Sequence, residues 1–218
     1  MGRRLAAEAL GSFFLFATVI GSGVMAETLA GGNVAVALLA NTLATGAMLF
    51  VLITMLGPIS GAHMNPAVSL VCAARRDVSW RDAAFYIPVQ LGAGAAGAWA
   101  AHLMFDLPIL QLSTKAREGV GQWTGEFIAT FGLIVTIIGT VRHRPTWVPA
   151  SVGLYIMAAY WFTSSTSFAN PAITIVRSLS DSFAGIAPHN VPLFVVAQLV
   201  GAGLGAMVAA LLFPPPKN

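Results

Sequence analysis

The sequence predicts an all-α membrane protein with six transmembrane helices and two re-entrant half-helices, arranged as an inverted repeat. Of its 218 residues, 57% are hydrophobic and only 9% are charged, a composition typical of helical membrane proteins. Six apolar runs approach the roughly 20 residues that cross a bilayer core of about 30 Å. An Asn-Pro-Ala triplet also stands once in each half, before an apolar run too short to span.

The six predicted spans are residues 5–25, 34–56, 83–105, 122–141, 147–162 and 191–213. We interpret the first as an uncleaved helix, because no small-residue cleavage site and polar mature segment follow it. The spans fall into two halves, about residues 1–106 and 120–213, within one domain covering residues 1–218. Since an external link joins the halves, they must have opposite orientation in the membrane.

Each Asn-Pro pair marks the start of a short helix. Asn170 is a natural N-cap and Pro171 a natural first helical residue, with about two apolar turns expected before Ser180. Asn65 and Pro66 take the same positions in the first half. A helix that begins inside a membrane must direct its unsatisfied N–H groups at something polar, such as water in a cavity. The sequence therefore predicts a pore between two facing helix N-termini.

The second span is expected to break at the turn-forming residues Gly57, Pro58 and Ser60. Small residues around Thr45, in the middle of that span, allow close approach of another backbone or a pore. His63 is open to two interpretations, a polar loop residue or a pore-lining contact at the inner mouth.

Two acidic residues stand in matching apolar segments, Glu8 in AEALGSFFLF and Glu126 in GEFIATFGLI. Either each reaches water at the membrane interface, or each accepts N–H groups from the neighbouring re-entrant loop, which we favour. The repeated segments that begin at Gln90 and Gln198 carry small residues at every third or fourth position, which predicts close helix packing.

The basic residues predict topology rather than nucleic-acid binding, since they are not interleaved with aromatic residues. Eight of the eleven fall in segments assigned to the inner side, which places both termini in the cytoplasm; these eight are Arg3, Arg4, Arg75, Arg76, Arg81, Arg142, Arg144 and Lys217. The lone Cys72 excludes an intrachain disulfide and is expected to be a small buried apolar residue. No catalytic or metal-ligand cluster is apparent, so we expect no enzyme activity, cofactor or metal.

These features resemble the aquaporin or major intrinsic protein family over nearly the whole chain. The resemblance rests on Asn65-Pro66-Ala67, Asn170-Pro171-Ala172, SGAHMNPAV, the paired glutamates and the paired stretches QLGAGAAGA and QLVGAGLGA. It implies the aquaporin fold and a passive channel in each subunit of a homotetramer, with both asparagine amides donating to solute. It also implies a ladder of pore-lining carbonyls at Gly61, Ala62, His63, Met64, Thr166, Ser167, Phe168 and Ala169.

The resemblance further implies a selectivity filter outward of the pore centre. Position matching assigns Thr45, Ser167 and Ile173 to this filter, together with Tyr160 or, by another count, Ala158; we prefer Tyr160. Ile173 stands where the family usually has an Arg. It lacks the fixed charge and the rigid fork of donors that an Arg supplies. The filter is therefore expected to be wider and more apolar.

Arg177 lies four residues beyond Ile173 on the same face of the short helix, and its side chain leans back toward the helix N-terminus. It could reach the filter or pair with Asp181, four residues further on, in the outer vestibule. We expect the vestibule pair.

The segment NPAITIVR with the downstream SDSFAGI resembles a bacterial aquaglyceroporin-like branch associated with arsenic resistance. We therefore expect a channel for water, glycerol-like polyols and undissociated arsenous or antimonous acid, in the bilayer of a bacterial inner membrane. The alternative is a coupled secondary transporter, because that class also uses inverted repeats and broken helices. Such transporters bury titratable groups at the midplane, where this sequence offers only Asn65 and Asn170.

Overall fold

The computed structural model describes residues 1–214, so Lys217 lies outside the described residues. Within this range the chain forms eight α-helices: Gly2–Leu29 (α1), Val34–Ser60 (α2), Pro66–Ala74 (α3), Trp80–Met104 (α4), Val120–His143 (α5), Val148–Phe162 (α6), Pro171–Arg177 (α7) and Val191–Leu212 (α8). Two 3₁₀ turns, Pro145–Trp147 and Pro188–Asn190, precede α6 and α8. The predicted class of six long helices and two half-helices is confirmed.

The long helices differ in how clearly they qualify as membrane spans. By length and hydropathy, α1, α2, α5 and the segment Pro188–Leu212 could each cross a membrane. α4 has 25 residues, but its many small residues and Gln90 lower its mean hydropathy. α6 has only 15 residues, fewer than the roughly 20 that a straight span needs.

The predicted break of the second span at Gly57, Pro58 and Ser60 is wrong. α2 continues to Ser60 with Pro58 inside it, and it ends at Gly61, whose φ of 90° is left-handed. A proline this close to the end forfeits only its own intrahelical hydrogen bond. Gly61 reaches the left-handed conformation without a steric penalty and ends the helix there.

The two halves pack in the same way. In the first half α1 lies against α2 and α4, in the second half α5 lies against α6 and α8, and α2 and α6 join the halves. The helix crossings depend on glycine: a Cβ at Gly97 would overlap the carbonyl of Phe13, and a Cβ at Gly205 would overlap that of Phe131. α3 and α7 each pack against both α4 and α8, which holds the half-helices at the centre.

Candidate functional site: a pore between two half-helices

The asparagines cap the two half-helices, as the sequence predicts. Asn65 Oδ1 accepts a hydrogen bond from Ala67 N at 2.9 Å, and Asn170 Oδ1 accepts one from Ala172 N at 2.9 Å. Both asparagine backbones are extended and a proline follows each as the first helical residue. The side-chain oxygens are thereby used by the caps, which leaves the amide nitrogens to point elsewhere.

The amide nitrogens tie the two loops together reciprocally. Asn65 Nδ2 donates to Ala169 O at 2.8 Å, and Asn170 Nδ2 donates to Met64 O at 2.8 Å. Each asparagine thus binds the carbonyl that immediately precedes the other, so the two helix N-termini face each other. A primary amide carries two N–H donors, and one per asparagine remains for the cavity that both residues line.

The loops before the asparagines repeat an unusual backbone conformation. Residues four, three and one before each asparagine have positive φ: Gly61 (90°), Ala62 (49°) and Met64 (47°) in the first loop, and Thr166 (61°), Ser167 (48°) and Ala169 (49°) in the second. Left-handed geometry costs about 1–2 kcal/mol per non-glycine residue. Such strain persists only where surrounding contacts fix the loop.

Glu8 fixes the first loop. Its Oε1 accepts from Ser60 Oγ at 2.7 Å and from His63 N at 2.8 Å, and its Oε2 accepts from Met64 N at 2.7 Å and from Gln90 Nε2 at 2.8 Å. The side chain is fully buried. Of the two interpretations of this residue, the structure has the loop contact and not the contact with water.

Glu126 fixes the second loop in the same way. Its Oε1 accepts from Phe168 N at 2.8 Å and its Oε2 accepts from Ala169 N at 2.9 Å. Gln198 Nε2 donates to the same carboxylate and also to Thr174 Oγ1 at 2.8 Å. The sequence assigned the stretches that begin at Gln90 and Gln198 to packing alone. The repetition of a glutamine at the start of both small-residue segments, one in each half, was the signal for this second role.

A cavity of about 430 Å³ passes between the half-helices. It extends from Arg75 and Asp77, beyond the C-terminal end of α3, past both asparagines, to Arg177 at the end of α7. One wall is aliphatic, formed by Leu15, Val19, Leu49, Ile53, Leu133, Ile134, Ile137, Ile138, Val141, Val148, Val152 and Ile156. Residues of the two loops also line the cavity, including Gly61, Ala62, His63, Met64, Phe168 and Ala169.

The four residues assigned to the filter all line this cavity: Thr45, Tyr160, Ser167 and Ile173. Tyr160 Oη lies 3.4 Å from Thr45 Oγ1. Ala158 is exposed on α6 and is not part of the lining, so the geometry selects Tyr160 over Ala158. Ser167 Oγ has no hydrogen-bond partner in the described residues, and the atom is fully enclosed although the residue lines the cavity.

Of three further residues that the sequence singled out, His63 and Cys72 line the cavity and Thr166 does not. His63 lines the cavity and its Nδ1 lies 3.1 Å from Ser69 Oγ. Cys72 is half-buried and lines the cavity near Arg75 and Asp77, so the expectation of an enclosed apolar residue is wrong: α3 turns this side chain toward the cavity. Thr166 stands outside the lining, and its hydroxyl accepts from Arg117 Nη1 at 3.4 Å.

The expected pair between Arg177 and Asp181 is absent, which corrects that prediction. Asp181 Oδ1 instead accepts from Thr114 N at 2.8 Å and from Thr114 Oγ1 at 3.0 Å. Arg177 is 2% exposed; its Nε donates to Ala184 O, and its Cζ lies 3.3 Å from the centroid of the Phe168 ring. The helix ends at Arg177, so the i, i+4 geometry that the pairing assumed does not exist beyond it.

Sequence reasoning missed two neighbours of Arg177, Lys115 and Arg117, which with Arg177 are the three basic residues outside the segments assigned to the inner side. Arg117 is 9% exposed, and its Nε donates to Gly185 O at 2.8 Å. The pKa of Lys115 is lowered to about 8, mainly by burial and to a smaller extent by the charges of Arg117 and Arg177. Burial likewise lowers the pKa of Arg117 to about 10. No local pattern identifies them, since their partners lie about 50–70 residues away.

Comparison with known proteins places these features in a family context. The family described as Major intrinsic protein matches residues 1–208. Aquaglyceroporin AqpS of Rhizobium meliloti (strain 1021) is 52% identical over 215 residues, which cover 99% of this chain and 92% of that protein. Aquaporin-2 of Homo sapiens is 31% identical over 176 residues, covering 77% of this chain and 65% of that protein. The X-ray structure of the aquaglyceroporin from Plasmodium falciparum shares the fold, with a TM-score of 0.74, 97% coverage of each chain and 19% identity.

Proposed function

The chain belongs to the major intrinsic protein family, and on that premise we propose that it is a passive transmembrane channel for water and small uncharged solutes. The observation that carries the proposal is the cavity that passes both facing helix N-termini. Its aliphatic wall offers a solute no strong binding, while the loop carbonyls and the spare amide N–H groups of Asn65 and Asn170 replace water around hydroxyl groups. Weak binding on a polar track suits conduction rather than capture.

The solutes we propose are water, glycerol-like polyols, and undissociated arsenous and antimonous acids. Thr45, Tyr160 and Ser167 bring hydroxyl-bearing side chains to the filter, and Ile173 offers an aliphatic surface where the family usually has an Arg. A small neutral molecule with several hydroxyl groups matches both surfaces, because burying its polar groups is compensated by hydrogen bonds. Uncharged arsenous acid presents three hydroxyl groups in a volume similar to that of glycerol.

The alternative of a coupled secondary transporter requires a titratable group that can exchange its partner at the pore centre. The two carboxylates nearest the centre are those of Glu8 and Glu126, and both are occupied by protein donors. Among the described residues that line the cavity, Asp77 is the one carboxylate, and it stands at the inner end. This distribution favours a channel.

Stopped-flow measurements on vesicles with the purified protein test the proposal. Water, glycerol and arsenous acid should enter down their gradients at rates well above those of empty vesicles, with no accumulation when a proton or Na⁺ gradient is imposed. Accumulation above the outside concentration would overturn the channel and support the transporter. Ile173→Arg should lower the permeability of glycerol and arsenous acid several-fold relative to that of water, because the longer side chain narrows the filter and removes its aliphatic surface.

We also propose that the channel is a homotetramer in the bacterial inner membrane with both termini in the cytoplasm. The outward faces of the long helices carry exposed aliphatic and aromatic side chains, which suit lipid or neighbouring subunits. Chemical cross-linking in native membranes, and protease access to an N-terminal tag from each side, test the assembly and the orientation.

A further inference from the structure

Three consecutive carbonyls in the link before α8 each bind a different cation. Lys115 Nζ donates to Phe183 O at 2.7 Å, Arg177 Nε donates to Ala184 O, and Arg117 Nε donates to Gly185 O at 2.8 Å. We call Lys115, Arg117 and Arg177 the outer cation cluster. Residues far apart in sequence therefore meet on one short segment beside the filter.

The cluster reaches the filter through Phe168. The guanidinium carbon of Arg177 lies 3.3 Å from the Phe168 ring centroid, and that of Arg117 lies 4.9 Å from it. Phe168 directly follows the filter residue Ser167. Arg177 therefore extends back along α7, and its charge lies beside the filter although its Cα is one helical turn beyond Ile173.

No carboxylate forms an ion pair with a member of the cluster within the described residues. The two ion pairs found in residues 1–214 are Arg4–Asp82 and Arg75–Asp77, both in the first half. Asp181 is used by Thr114, and Glu27 accepts from Phe183 N at 3.1 Å rather than from a cation. Burying unpaired cations costs several kcal/mol per ion. A cost of this size at the mouth of a pore is typical of a functional charge.

Arg177 also has donors left for a solute. It lines the cavity, and its one hydrogen bond in the described residues is made by Nε. Its two terminal nitrogens make none, and neither is among the fully enclosed polar atoms that lack a partner. Both therefore keep some accessible surface on a residue that lines the cavity.

We propose that Arg177 supplies the positive charge and the donors that Ile173 does not, and that Arg117 and Lys115 are positioning residues that hold residues 183–185 against it. This inference rests on the proposed function. It makes the filter bipartite: an aliphatic surface at Ile173 accommodates solutes wider than water, and a guanidinium seated by the Ala184 carbonyl excludes cations. The substrate class is then uncharged molecules that carry hydroxyl groups.

Ion leak into reconstituted vesicles tests the charge. Arg177→Met should raise K⁺ leak by roughly tenfold, because it removes a unit charge from a site of low dielectric constant, and it should leave Cl⁻ leak unchanged. Loss of structure alone would raise both leaks together. Arg81→Met is the matched control, since Arg81 is exposed at the start of α4 and makes no hydrogen bond within the described residues.

Two further variants make the test robust to misfolding. Arg177→Lys keeps the charge without the fork, so K⁺ leak should stay near that of the wild type. The double variant Ile173→Arg with Arg177→Met returns the charge to the usual position and should restore exclusion of K⁺.

The positioning role of Arg117 has its own test. Arg117→Met should raise K⁺ leak, and Arg117→Lys should largely prevent that rise.

Three results would overturn the inference: no rise in K⁺ leak in Arg177→Met while glycerol still permeates, an equal rise for K⁺ and Cl⁻, or a leak in Arg177→Lys as large as in Arg177→Met. Failure of the wild type to pass water or glycerol would instead reject the proposed function. The two failures are therefore distinguishable in the same vesicles.

Discussion

The first loop, residues 61–65, and the second loop, residues 166–170, are built from the same contacts in the same order. Each has left-handed residues at matching positions, a buried glutamate that accepts two of its N–H groups, and an asparagine that binds the other loop. They differ in what surrounds them. The outer cation cluster stands beside the second loop, whereas His63 and the Arg75–Asp77 pair stand near the first.

This difference separates two roles. The shared contacts fix the backbone at the pore centre, so they should determine whether the pore forms at all. The contacts found in only one half should determine which solutes and ions pass. The variants below test this separation, from the largest expected effect to the smallest.

Removal of the buried glutamates should have the largest effect. Glu8→Ala removes the acceptor of four hydrogen bonds and Glu126→Ala that of three, and the buried backbone donors left unsatisfied should lower the free energy of unfolding by about 3 kcal/mol or more. Thermal unfolding in detergent is the measurement, with Glu118→Ala on the exposed link as the control. A stable, water-permeable Glu8→Ala protein would show that the strained loop holds without its anchor.

Replacing either asparagine by aspartate should raise K⁺ leak to a similar extent. Asn170→Asp keeps the cap oxygen but places a carboxylate where two positive helix ends meet, and should raise K⁺ leak roughly tenfold. Asn65→Asp should do the same, because its amide makes the equivalent contact. The measurement is K⁺ flux into vesicles at equal protein density. A leak in only one of the two variants would mean that Asn65 and Asn170 contribute unequally to the exclusion of cations, although their contacts are equivalent.

Engineered thiols should report the two ends of the pore separately. In a Cys72→Ser background, Ser167→Cys should make water flow sensitive to an impermeant mercurial added outside. Both Ser167 and Ala62 line the cavity. In Ala62→Cys, at the matching position of the first loop, water flow should be blocked only by mercurial added inside. The wild type should resist the outside reagent, because Cys72 lines the end of the cavity that we propose faces the cytoplasm. Absence of block in the Ser167→Cys variant would remove Ser167 from the pore.

The smallest effect concerns the charge of Lys115. Its pKa is lowered to about 8 from 10.5, by burial first and then by Arg117 and Arg177, with Glu27 opposing. Between these two pH values the Lys115 amine is protonated in the unfolded chain and neutral in the folded protein. The contribution of this group to the free energy of unfolding therefore rises with pH over that range, and it is lost as pH falls through about 8. Because the amine is partly solvated, the melting temperature of the wild type should gain only about 1–3 °C over Lys115→Met from pH 7 to pH 10. An equal pH response in both proteins would contradict the lowered pKa.

The sequence by itself determined the class of fold and the centre of the pore. Asn65, Asn170 and the prolines after them specify helix starts through contacts only two or three residues away, and hydrophobic run length specifies the spans. Local signals of this kind depend on neighbouring residues and on the membrane environment, so they are readable without tertiary contacts.

Only the tertiary structure decided the surroundings of the filter. It placed Tyr160 rather than Ala158 against Thr45 across 115 positions of sequence, and it gave Asp181 to Thr114 instead of Arg177. It also brought Lys115 and Arg117 to carbonyls 68 positions away. Long polar side chains can satisfy a hydrogen bond with any acceptor within reach, and helix packing decides which acceptors those are. For that reason the end of α7 at Arg177, and not the i, i+4 spacing to Asp181, set the direction of the guanidinium.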